Sequence, residues 1–385
     1  MPWKRIGPMD QKVQLIADWQ TKNYSKTDLS KKFHVSRKTV NKWIQRYDQQ
    51  GIEGLKDQSR EPKQKPHATA RNVVEKIVSY KLRHPKRGPK KIYHQLMKKQ
   101  PDVKWPVPST IGYWLKKYNL VNPRKKRKRV APYNQPFIDC QSPNEVWSVD
   151  YKGQFYTQDS KVCYPLTISD NFSRYILKCK GLPGPRYRET QQVFEQVFQE
   201  YGLPDAIRSD NGIPFAGTGI AGLSRLSIWW IQLGIIPERI EKGNPQQNGR
   251  HERMHRTLKY ETLDTKAKNL KEQQNRFDLF QIDFNNHRPH EALGQKTPSE
   301  YYRKSNRPYI AKPPKPVYDY DLKVRQVKSR GAIKFKNNLY YLTELLYGQP
   351  VGLKPTDEDN WDIYYYSHPI ATLNLRKNKI FSIKV

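Results

Sequence analysis

Three carboxylates stand where a chain places chemistry. Asp150 follows the alternating run "EVWSV". Asp210 closes "AIRS" and is followed by Asn211 and Gly212. Glu252 lies near the start of the basic helical stretch "GRHERMHRTLKYE", after a loop containing Gly243, Pro245 and Gly249. Each has an ordinary reading: a strand end, a turn, and a helix N-terminal charge favoured by the macrodipole. Brought together, three carboxylates repel and take up protons. Hard divalent cations reverse that cost, and Mg²⁺ keeps waters and phosphate oxygens in its shell. Two such ions can clamp the attacking and leaving oxygens of an in-line displacement at phosphorus. Asp150, Asp210 and Glu252 are therefore the candidate catalytic and metal-binding residues. Arg256 and Lys259, four and seven residues past Glu252, share its helical face and suit a phosphate backbone. Met254 and Leu258 lie on another face and are expected to pack inward.

The elements that must position these acids follow from the pattern. "EVWSVDYKGQF" alternates, with Val146, Ser148 and Asp150 on one face and Trp147, Val149 and Tyr151 on the other. "CYPLTIS" and "RYILKCK" read as strands joined by the turn "DNFS", which makes Asp170 a turn residue. A helix follows with Val193, Phe194, Val197, Phe198 and Tyr201 inward. "AIRSDNG" is a strand, "GLSRLSIWWIQLG" a helix and "IIPERI" a strand. The order β-β-β-α-β-α-β-α predicts an α/β core with a mixed sheet, where catalytic groups collect at the carboxyl ends of strands.

Charge separates the rest of the chain from this core. Of 385 residues, 71 are Lys or Arg and 36 are Asp or Glu, a net charge of +35. Residues 1–130 hold 34 of those bases and 9 of the acids, so about +25 lies in the first third. That imbalance points to a polyanion, most simply double-stranded DNA. "TKNYSKTDLSKKFHVSRKTVNKWIQRYDQQGIEGL" has helix–turn–helix form. Thr27 or Asp28 caps a short helix with Leu29 and Phe33, and His34 and Val35 make the turn. Ser36 caps a second helix whose apolar stripe is Val40, Trp43, Ile44 and Tyr47. Its other face offers Ser36, Arg37, Lys38, Asn41, Lys42 and Arg46 to phosphates and base edges. After the linker "KQKPHA", a second helix–turn–helix, with or without a wing, is expected. It has Val73, Val74, Ile77, Val78 and Leu82 on one helix, and Ile111, Trp114, Leu115 and Tyr118 on another that starts at Pro108 and Ser109. "PRKKRKR" reads as a basic tether in which Arg124, Lys125, Lys126 and Arg127 neutralise phosphates without choosing sequence. Beyond Pro308 the chain turns strand-like, with a hairpin around Asn337 and Asn338, and a small β-barrel is expected.

Other classes fit less well. Cys140, Cys163 and Cys179 are widely spaced and form no CxxC, which fits a reducing cytoplasm rather than a disulfide framework or zinc cluster. No apolar run approaches a membrane span. His251 and His255 are four apart, but the HEXXH pattern of a zinc hydrolase is absent.

"WSVDYKG", "IRSDNGIPFA" and "KGNPQQNGRHERMHRTLKYE" together resemble the three signature segments of the DDE integrase-core superfamily, most closely its bacterial insertion-sequence transposases on the side related to retroviral integrases. "FNNHRPHEALGQKTPSEYY" resembles the segment that follows that core. The likeness covers nearly the whole chain. It implies a ribonuclease H-like core, Mg²⁺ with Mn²⁺ as a substitute, and Asp150, Asp210 and Glu252 as the metal-binding triad. It also implies a polynucleotidyl transferase that binds terminal inverted repeats, cuts with metal-activated water and joins the freed 3′-OH to target DNA. A homo-oligomer on DNA, at least a dimer, and a cytoplasmic, nucleoid-associated bacterial protein follow from the same likeness. One departure is the 41 residues between Asp210 and Glu252, several more than usual, with "AGTGIAGLSRLSIWW" as the insertion. Glu238 and Glu241 lie within that interval but lack the loop-then-helix context of Glu252. The organisation expected is a helix–turn–helix domain over 1–59, a second over 60–122, a linker over 123–138, the catalytic core over 139–307 and the β domain over 308–385. The rival readings are a non-catalytic repressor derived from a transposase, and a metal-dependent nuclease that never joins strands.

Overall fold

The computed structural model describes residues 7–57, 68–121, 140–241 and 245–383. The chain divides into two compact units, residues 1–69 and 70–385.

The first unit is three helices, α1 (Pro8–Gln20), α2 (Lys26–Lys32) and α3 (Arg37–Gln50). Leu15, Ile16, Leu29, Val40, Trp43, Ile44 and Leu55 form its core. Helix α2 is capped by Ser25, not by Thr27 or Asp28. The Ser25 hydroxyl accepts from the Asp28 N–H, and the Asp28 carboxylate accepts from the Ser25 N–H in return, a reciprocal box. Ser36 caps α3 by accepting from the Thr39 N–H at 3.1 Å.

The second unit opens with α4 (Arg71–Arg83), α5 (Pro89–Lys99) and α6 (Pro108–Lys117). Ile77, Tyr80, Ile92, Leu96, Trp105, Ile111 and Leu115 pack between them. No strand occurs among the described residues from 68 to 121, so no wing is seen. Leu82 and Tyr118, expected in the core, are exposed because each lies past the end of its helix's buried stripe.

The α/β core then runs β1 (Val146–Tyr151), β2 (Phe155–Tyr156), β3 (Val162–Asp170), β4 (Ile176–Leu182), α7 (Tyr187–Tyr201), β5 (Ala206–Ser209), α8 (Arg225–Gln232), β6 (Ile236–Arg239), α9 (Gly249–Thr262), α10 (Leu270–Asn286) and the short α11 (Pro298–Tyr301). The sheet order is β2-β3-β1-β5-β6, with β4 beside β3. Strands β1, β5 and β6 are parallel, while β3 is antiparallel to both β1 and β4. Helices α7 and α8 cover one face, burying Trp147, Val149, Phe194, Phe198, Ile207 and Trp230. Helices α9 and α10 cover the other through Met254, Leu258, Phe277, Phe280 and Phe284. The backbone of β4 is met by side chains of α10. Asn285 accepts from the Ile176 N–H and donates to its carbonyl, and Gln281 donates to the carbonyls of Ile176 and Leu177. A strand whose polar groups are so occupied offers no template for another chain.

The C-terminal part contains β7 (Lys323–Gln326), β8 (Ala332–Phe335), β9 (Asn338–Tyr341), β10 (Pro350–Pro355), β11 (Asn360–Tyr365), β12 (His368–Asn374) and β13 (Lys379–Ser382). The region is β-rich and antiparallel, as expected, but the barrel is not closed. One sheet runs β13-β12-β11-β10-β7, and β8 with β9 forms a separate hairpin that turns at Lys336 and Asn337. Its apolar core is shared with the α/β core. Ala221, Leu223, Ile228 and Ile231 cluster with Val351, Leu353, Ile363, Ile370 and Leu373. The insertion between Asp210 and Glu252 thus seats the C-terminal sheet, with Ala221 N–H donating to the Ser382 hydroxyl and Gln232 donating to Tyr365.

Candidate active site

Strand β1 supplies the first acid. Trp147 and Val149 turn into the α7–α8 side, so Ser148 and Asp150 turn towards α9. Asp150 lies opposite Thr167 of β3, and Ser148 lies beside Arg208 of β5. Continuing that parallel register brings Asp150 level with Asp210, just past the carboxyl end of β5. Asp210 accepts from the Gly212 N–H at 3.0 Å. Gly212 leaves room for that carboxylate, since a Cβ there would sit 3.0 Å from Asp210 Oδ2.

Helix α9 carries the third acid, near enough for its charge to act on Asp150, and its two sides differ sharply. His251, Met254, His255, Leu258 and Thr262 are buried, at spacings of three, four and seven residues. Glu252, Arg256 and Lys259 are exposed on the opposite side. Met254 and Leu258 pack inward as the sequence indicates.

The acids share an electrostatic neighbourhood. Burial, then the nearby charge of Asp210, and finally that of Glu252 push Asp150 up to about 7, against smaller opposing help from the Tyr151 N–H and Lys152. Among the described residues no Lys or Arg forms an ion pair with any of the three. Several other acids near the core are matched: Glu238 with Arg208 at 2.7 Å, Glu261 with Arg288 at 2.5 Å and Asp205 with Arg307 at 3.0 Å. No three His, Cys, Asp or Glu side chains among the described residues are spaced to hold one ion between them. Three carboxylates without a Lys or Arg partner, one of them driven towards its protonated form chiefly by burial and then by Asp210, are the donor chemistry that a hard divalent cation fits. Two other acids are occupied. Glu238 is spent on Arg208. Asp170 is buried in its turn, accepting from Asn144 N–H and from both the N–H and hydroxyl of Ser173.

Residues that sequence reasoning missed lie directly beneath this site. Thr167 Oγ1 is 2.6 Å from Nε2 of His251, 2.6 Å from Nε2 of His255 and 3.1 Å from the backbone oxygen of Asp150. Ser169 Oγ is 3.1 Å from His251 Nδ1. His255 Nδ1 is 3.6 Å from Asp150 Oδ2. Burial holds both imidazoles far below their ordinary range, His251 to about 3. The signal was available: both histidines fall on the same helical stripe as Met254 and Leu258.

Comparison with known proteins follows the same map. A helix-turn-helix domain matches residues 11–63 and a homeodomain-like domain residues 39–115. Integrase core domains match 141–245 and 233–298, and the C-terminal domain of IS481 family transposases matches 322–381. Over these segments the chain is similar to insertion-sequence transposases of the integrase-core superfamily. An uncharacterized 31.7 kDa protein of insertion element IS407 from Burkholderia multivorans is 26% identical over 186 residues, 48% of this chain and 64% of its own length. An uncharacterized 39.2 kDa protein of insertion element IS476 from Xanthomonas euvesicatoria is 27% identical over 184 residues, 47% of this chain and 51% of its own. The chain spans between half and two thirds of the length of these curated relatives. The HTLV-2 integrase catalytic core domain, solved in complex with magnesium, covers 42% of this chain and 99% of its own at 18% identity, with a TM-score of 0.34.

The basic residues of the chain divide by setting. On α3, Ser36, Arg37, Lys38 and Lys42 are exposed, while Asn41 and Arg46 are half-buried. The charged groups of Lys42 and Arg46 lie over the Trp43 ring at 4.7 and 5.2 Å, as cation–π contacts. Arg124, Lys125, Lys126 and Arg127 lie outside the described residues. In the second helical module much of the charge is already used. Arg87, 3% exposed, grips both carboxylate oxygens of Asp283 at 2.7 and 2.9 Å. Lys86, Lys90 and Lys98 pair with Asp264, Glu291 and Glu300. No helix among the described residues is long and apolar enough to cross a membrane.

Proposed function

We propose that this chain is a DNA transposase whose helical modules bind the ends of its element and whose core cuts and joins DNA strands. The observation that carries the reading is the carboxylate edge at the ends of β1 and β5 beside α9, which forms no ion pair with Lys or Arg among the described residues, while Glu238, Glu261 and Asp205 do. Asp150, Asp210 and Glu252 would hold Mg²⁺ or Mn²⁺, which when bound activates water and stabilises charge on the reacting phosphate oxygens. Arg256 and Lys259, exposed on the Glu252 face of α9, hold the DNA backbone across the site. Arg37, Lys38, Asn41 and Lys42 present the first module's charges and amides to the grooves, with Ser36 fixing the start of the helix that carries them. In the cut, a water oxygen bonds to phosphorus, the bond from phosphorus to the 3′ oxygen breaks, and that oxygen leaves as the 3′-OH. In the joining step the 3′-OH bonds to a target phosphorus and displaces the target strand's own 3′ oxygen. Joining two ends needs at least two copies of the chain on DNA.

One incubation tests this. Purified protein is mixed with labelled element-end DNA, a target plasmid and Mg²⁺. Joined products support the transposase. Cut ends without joining reduce the protein to a nuclease, and a shifted but intact fragment reduces it to a repressor.

A further inference from the structure

With all three contacts of Thr167 made and both imidazoles neutral, the cluster beneath the active site has one hydrogen-bond pattern. A hydroxyl has one proton to give and two lone pairs. Thr167 Oγ1 has three partners: the Asp150 carbonyl, His251 Nε2 and His255 Nε2. A carbonyl can only accept, so the Thr167 proton goes there, and both imidazoles must donate from Nε2. His251 then has a bare Nδ1, which accepts from the Ser169 hydroxyl. His255 has a bare Nδ1 as well, turned towards Asp150 Oδ2 at 3.6 Å, beyond hydrogen-bond reach. All three members are buried, with Thr167 fully inaccessible, His251 1% and His255 4% exposed. The two rings meet edge to face at 4.6 Å.

The placement of this knot matters more than its stability. Thr167 is the cross-strand partner of Asp150 and bonds to that residue's own backbone. His251 immediately precedes Glu252, and His255 lies one turn further along α9. One hydroxyl therefore ties the helix that carries the third acid to the strand that carries the first. We propose that Thr167 is a positioning residue that sets the separation of Glu252 from Asp150, with His251 and His255 both held as Nε2–H tautomers and His255 Nδ1 left bare against Asp150. The role assigned to the two acids rests on the function proposed above, whereas the tautomers do not.

The test compares Thr167→Val, which keeps the shape and loses the hydroxyl, with Thr167→Ser, which keeps the hydroxyl. The first readout is ¹⁵N NMR of the histidine rings in the metal-free full-length protein. Wild type and Thr167→Ser show protonated Nε2 on both rings. In Thr167→Val, His255 moves its proton to Nδ1, where Asp150 accepts it. The second readout is the Mn²⁺ concentration that half-saturates binding and half-activates end cleavage. The valine variant needs at least tenfold more Mn²⁺ while binding end DNA as wild type does, and the serine variant restores the wild-type requirement. A valine variant with wild-type tautomers and wild-type Mn²⁺ requirement overturns the proposal, as does a serine variant no better than valine. If the wild type neither binds Mn²⁺ nor cuts, the transposase reading fails, and the NMR result still decides the hydrogen-bond pattern.

Discussion

Two sets of acids face different fates in this chain. Along α10 and the segments around it, Asp283, Asp264, Glu291 and Glu300 each meet a base from the second helical module, and Glu261 meets Arg288. At the ends of β1 and β5, Asp150, Asp210 and the neighbouring Glu252 form no ion pair with Lys or Arg among the described residues. The first set is neutralised within the chain and joins the second helical module to the core through pairs that are mostly exposed. In the second set Asp150 is largely buried without a Lys or Arg partner, which disfavours its charged form in the metal-free protein, whereas Glu252 is exposed. A count of basic residues could not distinguish Lys90 or Lys98, which serve the first set, from Lys42, which forms no ion pair among the described residues.

The contrast can be broken in several ways. The largest effect is on activity: Asp150→Asn is expected to lower end cleavage by roughly 10³-fold or more while leaving end-DNA binding intact, read in one gel by shift and by cut. A variant that cuts normally removes Asp150 from the site. Next comes Arg87→Ala, which strands Asp283 and is expected to cost on the order of 3 kcal/mol. Denaturant titration with hydrogen exchange should show that loss in the second module and the core, with helices α1, α2 and α3 unchanged. A smaller effect is pH-dependent. Asp150 has a folded value of about 7 against an ordinary 3.8, so the folded protein holds this proton more tightly than the unfolded chain. The stability this provides is complete below pH 4 and is lost as pH rises to 7. Metal-free protein should therefore melt lower at pH 8 than at pH 5, and Asp150→Asn should reduce the difference by roughly 2–4 °C. An unchanged difference would show that the acids do not burden the fold. The smallest effects belong to Lys90→Ala and Lys98→Ala, exposed pairs worth less than about 1 kcal/mol each. A large loss from either would mean that the docking surface is drier than its exposure indicates.

Much of the catalytic core was legible because its strands alternate and its helices carry clean stripes. Val146 to Tyr151, the buried face of α7 and the cap at Ser36 all follow from local pattern. Helix α1 was not, since only Leu15 and Ile16 in it are fully buried. Leu82 and Tyr118 extend an apolar stripe that the fold does not use. The insertion in "AGTGIAGLSRLSIWW" was visible as extra length, but its purpose was not. Helix α8 buries Leu226, Trp229 and Trp230 against the core and Ile228 and Ile231 against the C-terminal sheet. Two-sided burial of that kind erases periodicity, and the partner sheet begins almost a hundred residues later. His251 and His255 were hidden differently. On a basic helix they read as surface residues until the stripe through Met254 and Leu258 assigns them inward. The Asp150–Asp210–Glu252 edge was legible in residue type and order, and its lack of internal ion pairs became visible only in three dimensions.

The central claim is that Asp150, Asp210 and Glu252 together hold the ion that the chemistry requires. Crystals of the protein on element-end DNA, grown with Mn²⁺ and measured at the manganese edge, test it directly. The account predicts an anomalous peak bonded to oxygens of Asp150 and Asp210, with Glu252 bonded to that ion or to a second one beside it. A peak elsewhere, or none at this edge under conditions in which the same preparation cleaves DNA, would contradict it.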